Sequence, residues 1–129
     1  MSMVVAIRGG VHMANTQDVL KHIEAYEKKL GTKFFDDWDI HKYPWAIVLP
    51  DGSITTYGMM WDTILVGPTA GNFKELLKVV KFIAHKVGLH YLQTVTTRNP
   101  EAYARLSGAT LIKIDRYNSP TEYTFKMEV

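Results

Sequence analysis

The sequence predicts an α/β (α+β) fold built on a mixed, mostly antiparallel central sheet with helices on both faces. Three observations carry this. Two long stretches repeat their apolar residues at helical spacing, several short stretches are rich in β-formers, and the elements alternate in a defined order. That order is β-α-(irregular)-β-β-β-α-β-α-β-β: antiparallel strands first, then a strand–helix–strand unit, then a short helix and two strands. A sheet so connected is covered on both sides.

Met3 to Ile7 (MVVAI) reads as the first strand. Asn15-Thr16-Gln17-Asp18 is helix-capping chemistry, Val19, Ile23, Tyr26 and Leu30 then recur at helical spacing, and Gly31 closes the helix. Residues 32–44 (TKFFDDWDIHKYP) are irregular, aromatic and acidic. Trp45 to Leu49 and Ile54 to Met60 flank the turn Pro50-Asp51-Gly52-Ser53 as a hairpin, and Thr63 to Val66 continues as a strand after a break at Trp61-Asp62.

Asn72 caps a second long helix, with Glu75 placed to reciprocate. Phe73, Leu76, Leu77, Val80, Ile83, Ala84 and Val87 form its apolar stripe, and Gly88 ends it. Leu89 to Thr97 is a strand, and Pro100 starts a short helix (PEAYARL) closed by Ser107-Gly108. Leu111 to Tyr117 and Glu122 to Met127 make the last hairpin, around Asn118 to Thr121.

The 129 residues suit a single domain spanning 1–129, with one core. A hydrophobic fraction of 47% beside 22% charged residues argues against disorder. No apolar run approaches the roughly 18 residues of a membrane span, and the start MSMVVAIRGG lacks the pattern of a signal peptide. The absence of cysteine excludes disulfides, thiolate zinc sites and a cysteine nucleophile, so a cytoplasmic protein is expected. A net charge of +2 is too small to argue by itself for nucleic acid as the partner, and none is expected. The charge is uneven: residues 72–129 hold 9 Lys/Arg against 5 Asp/Glu, while residues 1–71 hold 6 against 8.

Residues 65–77 (LVGPTAGNFKELL) have the strand–turn–helix layout that binds phosphate on amides at a helix N-terminus. The Lys-Ser/Thr of a nucleotide P-loop is missing, as is a GxGxxG. The element order, with Val66-Gly67-Pro68, Leu76-Leu77, Asn99 and Gly108-Ala109, resembles the GNAT superfamily of N-acetyltransferases over about residues 45–129. In that family a hydrophobic-x-Pro strand end leads into an Arg/Gln-x-x-Gly-x-Gly/Ala loop and a helix with a Leu-Leu pair.

The resemblance implies acetyl-CoA as cofactor, held by Leu65, Val66, Gly67, Thr69, Ala70, Gly71, Asn72, Phe73 and Asn99. It also implies a splayed strand pair, whose free edge hydrogen-bonds the pantetheine arm, and a small-molecule or protein amine as acceptor. The sequence departs from the family at the loop, which is shorter and begins without Arg or Gln. Gly71 is its one glycine, and Phe73 stands where Gly or Ala lets phosphate approach. The Asn99–Gly108 segment is also shorter. Ala104 occupies the usual catalytic tyrosine position, with Tyr103 beside it and expected on another face of the helix.

Tyr103 is the candidate acid for the leaving thiolate; packing is its other reading. Asp37, Trp38, Asp39 and His41, with Asp36, are candidates for binding a cationic acceptor, against the reading of an exposed acidic loop. His12, His22, His85 and His90 form no His-x-x-x-His, so no metal is expected. Ser53, Ser107 and Ser119 sit in turns without a nucleophile elbow.

Three functions compete. One is a divergent acetyltransferase. Another is a GNAT-fold binding or structural protein without catalysis, similar to small bacteriophage-encoded GNAT-like proteins and acting through a protein partner or as a homodimer. The third is an unrelated α+β domain that uses its basic half.

Overall fold

The computed structural model describes residues 3–6, as backbone, and residues 15–129. Ile7 and His12 lie outside the described residues. The elements are β1 (Met3–Ala6), α1 (Thr16–Leu30), α2 (Phe34–Asp37), β2 (Trp45–Val48), β3 (Ile54–Met60), β4 (Thr63–Ala70), α3 (Phe73–Val87), β5 (Tyr91–Thr96), α4 (Pro100–Ser107), β6 (Thr110–Asp115) and β7 (Glu122–Glu128).

The strands form one seven-stranded sheet in the order β1-β2-β3-β4-β5-β7-β6. β2–β3, β3–β4, β5–β7 and β6–β7 are antiparallel, while β1–β2 and β4–β5 are parallel. The first strand therefore departs from the expected opening of antiparallel strands. It reaches β2 across the whole of α1 and α2, a connection long enough for a parallel crossover.

Alternation along the strands divides the core between two faces. Ile47, Leu49, Tyr57, Ile64 and Leu92 pack under Leu76, Val80 and Ala84 of α3. Ala46, Val48, Ile54 and Ala70 pack under Ile23 and Tyr26 of α1 and Phe34 of α2. Neighbouring residues of β2 thus serve opposite layers.

The helices begin and end as their capping residues dictate. The Asn15 side chain accepts from the Gln17 amide, that of Asn72 from Glu75, and that of Asn99 from both Glu101 and Ala102. Gly31, Gly88 and Gly108 terminate the three long helices in the left-handed conformation. The irregular segment holds the single turn α2, pinned by Phe34, which is fully buried and touches Tyr26 edge to face.

The main correction to the sequence reading is the length of β4. It runs to Ala70 rather than Val66, through Gly67 and Pro68, because β3 continues to pair with it as far as Ile54 opposite Ala70. A long antiparallel partner outweighs the local preference of Gly-Pro to turn. Among the described residues, no helix is long and apolar enough to cross a membrane.

Candidate functional site

β4 and β5 pair only from Thr63–Val66 against Tyr91–Thr94. Beyond Val66, β4 follows β3 to Ala70 and β5 follows β7 to Thr96, so the two parallel strands separate into a fork. The fork starts at a β-bulge. Thr55 faces Thr69 and Tyr57 faces Val66, which leaves two β4 residues, Gly67 and Pro68, against Thr56 alone. A bulge is where a strand tolerates a proline that has no amide to donate. Gly67 is required there because a Cβ would lie 2.6 Å from the Tyr43 ring.

A fork exposes backbone groups that a bound ligand can use. Here hydroxyls of the chain itself take them. Thr94 Oγ1 donates to the Val66 carbonyl at 3.0 Å, Thr69 Oγ1 to that of Gly67 at 3.0 Å, and Thr56 Oγ1 to that of Pro68 at 3.2 Å. Three successive carbonyls of the bulge therefore have internal partners. The Thr69 hydroxyl lies 2.7 Å from that of Thr55 as well.

The β4–α3 connection consists of Gly71 and Asn72 alone. The Asn72 amide donates to Ser53 Oγ at 2.8 Å, and its side chain and carbonyl take the Glu75 and Leu76 amides. Gly71 has φ +108°, and a Cβ on it would stand 2.7 Å from that of Ser53. A glycine is needed there for close packing on Ser53, just before β3. Ser53 is fully buried.

The mouth of the fork is filled by aromatic rings. Phe73, the first residue of α3, meets Tyr103 of α4 edge to face, with ring centroids 5.6 Å apart. Tyr103 lies against Phe125 of β7 at 4.7 Å. The cavity left among Phe73, Tyr103, Thr69, Val66 and Leu76 is about 10 Å³, room for at most one water. Burial pushes the Tyr103 phenol up to about 12; a hydrogen bond with Thr94 and the charge of Arg98 act against that rise. The Tyr103 ring thus packs between Phe73 of α3 and Phe125 of β7.

The remaining predicted residues fall into place as follows. Leu65, Val66, Gly67, Thr69 and Ala70 belong to β4, Gly71 and Asn72 to the connection, and Asn99 caps α4. Asp37, Trp38, Asp39 and His41 lie around α2, which packs on the α1 face, whereas the aromatic plug lies among α3 and α4. Asp37 Oδ2 accepts from Tyr26 at 2.7 Å and from Thr32 at 2.5 Å, and Trp38 Nε1 donates to the Tyr43 carbonyl. Asp39 caps the amides of His41 and Lys42.

An open groove of about 460 Å³ borders this region, lined by Glu27, Gly31, Thr32, Lys33, Asp36 and Asp37. Two of its carboxylates are engaged: Asp37 as above, and Glu27 by the Phe34 amide and Lys33. No three His, Asp or Glu side chains among the described residues are grouped as a metal ion requires.

The sequence reading left Ser53 as a turn residue and passed over Thr56 and Thr94. Ser53 acts across 19 residues and Thr94 across 28, distances over which no local pattern reports.

Acetyl-CoA, which the resemblance implies, needs free amides for its diphosphate and an open slot for its arm. Ahead of α3 the connection offers two residues, with the Asn72 amide donated to Ser53, and the slot beside the fork holds Phe73 and Tyr103.

No protein-family model matches the chain, and no curated protein is similar to it in sequence. Solved structures do resemble it. An acetyltransferase from Bacillus cereus superposes with a TM-score of 0.55 at 14% identity, over 92% of this chain and 97% of that one. N-acetylglutamate synthase from Neisseria gonorrhoeae, solved with coenzyme A and N-acetyl-glutamate, gives 0.57 at 12% identity, over 91% of this chain and 33% of that one. A Bacillus subtilis acetyltransferase in complex with CoA gives 0.50 at 12%, over 60% and 68%. Along nearly its whole length this chain shares the fold of these acetyltransferases, a GNAT-like fold.

Proposed function

We propose that this chain is a GNAT-fold binding protein that transfers no acetyl group. One observation carries the reading. The Val66 carbonyl at the fork already accepts from Thr94 of β5, those of Gly67 and Pro68 accept from Thr69 and Thr56, and the slot beside them is plugged by Phe73 and Tyr103. The two-residue connection to α3 supports it further, since a diphosphate cradle needs several free amides in one concavity. A cytoplasmic setting belongs to the same proposal and rests on the cysteine-free sequence.

A second reading is acetyl transfer from acetyl-CoA to an amine held near Asp37, Trp38, Asp39 and His41. The bulge and fork are the observation that favours it, together with a protonated phenol, Tyr103, beside them. Thermal unfolding with saturating acetyl-CoA separates the two. A ligand at 100 times its dissociation constant adds about 2.7 kcal/mol, a shift of several degrees for a domain of this size. We expect no shift for the wild-type chain. A clear shift, with acetylation of a polyamine or peptide amine, would establish the second reading instead.

A further inference from the structure

β6 differs from the other strands whose burial is described. Every residue from Thr110 to Ile114 is exposed, and Leu111, Ile112 and Ile114 leave 38%, 53% and 38% of their surfaces in solvent. It ends the sheet and pairs with β7 on one side only. Unpaired backbone groups flanked by apolar side chains on both faces form a template on which another strand adds. The edge is regular only in part. Leu111 faces Phe125 and Lys113 faces Thr124, so Ile112 is the extra residue of a bulge, and the straight segment is Lys113-Ile114-Asp115.

That segment is its own complement when reversed. A two-fold axis through Ile114 sets Ile114 opposite Ile114 of a second copy. Lys113 then faces Asp115 of that copy, and Asp115 faces its Lys113. Opposite charges and an apolar pair at facing positions are what stabilise an antiparallel pair, and one patch meeting itself is the geometry of a closed dimer. An axis through Lys113 would face lysine with lysine, so the charges select the register.

We infer that the chain forms a homodimer by antiparallel pairing of β6 with β6 of a second copy, which joins two seven-stranded sheets into one. This rests on the edge of the sheet and is independent of the reading given to the fork.

Light scattering after size exclusion tests it on the full chain at micromolar concentration. The wild-type protein should elute at twice the chain mass. Lys113→Asp and Asp115→Lys should each be monomeric, because each sets like charges against one another. An equimolar mixture of the two variants should recover the dimer, since every facing position then carries opposite charges. A monomeric wild type overturns the inference, as does a dimer that survives both substitutions or a mixture that stays monomeric. Asp115 also accepts from the Tyr117 amide and from Asn118 Nδ2. Should Asp115→Lys lose its native circular dichroism for that reason, Lys113→Asp alone decides: a monomer supports the pairing and a dimer refutes it.

Discussion

Phe73 and Tyr103 face each other across the mouth of the β4–β5 fork, edge to face, with centroids 5.6 Å apart. Helix α3 contributes one ring and α4 the other, so the contact ties the two helices over the point where β4 and β5 part.

Removing the first ring should therefore weaken the fold. Phe73→Ala deletes a partly buried ring and leaves a void over Val66 and Leu76, at a cost of about 2 kcal/mol, less than for a fully buried phenylalanine. Urea unfolding followed by circular dichroism measures it. An unchanged midpoint would show that the plug contributes nothing to packing.

The second ring makes an alkaline prediction. Tyr103 is raised from its ordinary value to about 12, with burial as the main cause. Its neutral form is thus favoured in the folded chain. The stability tied to it is complete below pH about 10 and falls as the pH rises from there through about 12. A tyrosinate absorbance titration should show a late-ionising group that Tyr103→Phe removes, and that variant should lose less stability over this window.

Thr94 connects the strand to the phenol. Thr94→Val keeps the shape but strips the Val66 carbonyl of its donor, which should cost about 1 kcal/mol. Urea unfolding followed by circular dichroism measures the loss, and an unchanged midpoint would show that the hydroxyl contributes nothing at the fork.

Asn99 distinguishes a capping role from a ligand-binding one. Its side chain takes the Glu101 and Ala102 amides at 2.9 and 3.2 Å. Asn99→Ala should cost about 1 kcal/mol, and Asn99→Ser or Asn99→Asp should restore most of it. Rescue by either residue in thermal unfolding is the expected outcome.

The elements of this fold were legible in the sequence wherever their causes were local. The capping run from Asn15, Asn72 and Pro100 mark helix starts, Gly31, Gly88 and Gly108 mark their ends, and the structure begins and ends its helices there. Tertiary pairing was not legible. Val66-Gly67-Pro68 reads as a strand running into a turn, yet β3 holds it as strand through a bulge. Phe73 stood out as an obstacle in the sequence, but its partner Tyr103 sits 30 positions on, too far for a local pattern to report the contact. The hydroxyls at the fork left no trace at all, since serine and threonine in turns and strands are ordinary.

The self-satisfied bulge has a consequence for how this site can change. Clearing Phe73 alone leaves Thr94, Thr69 and Thr56 on the carbonyls and Ser53 on the Asn72 amide. Deleting any one hydroxyl alone strands a backbone group beneath an intact plug. These residues share partners, so their effects will not add. On the proposed non-catalytic reading, single substitutions each cost stability and return no ligand, which makes the closed fork an epistatic trap that stepwise mutation does not readily leave.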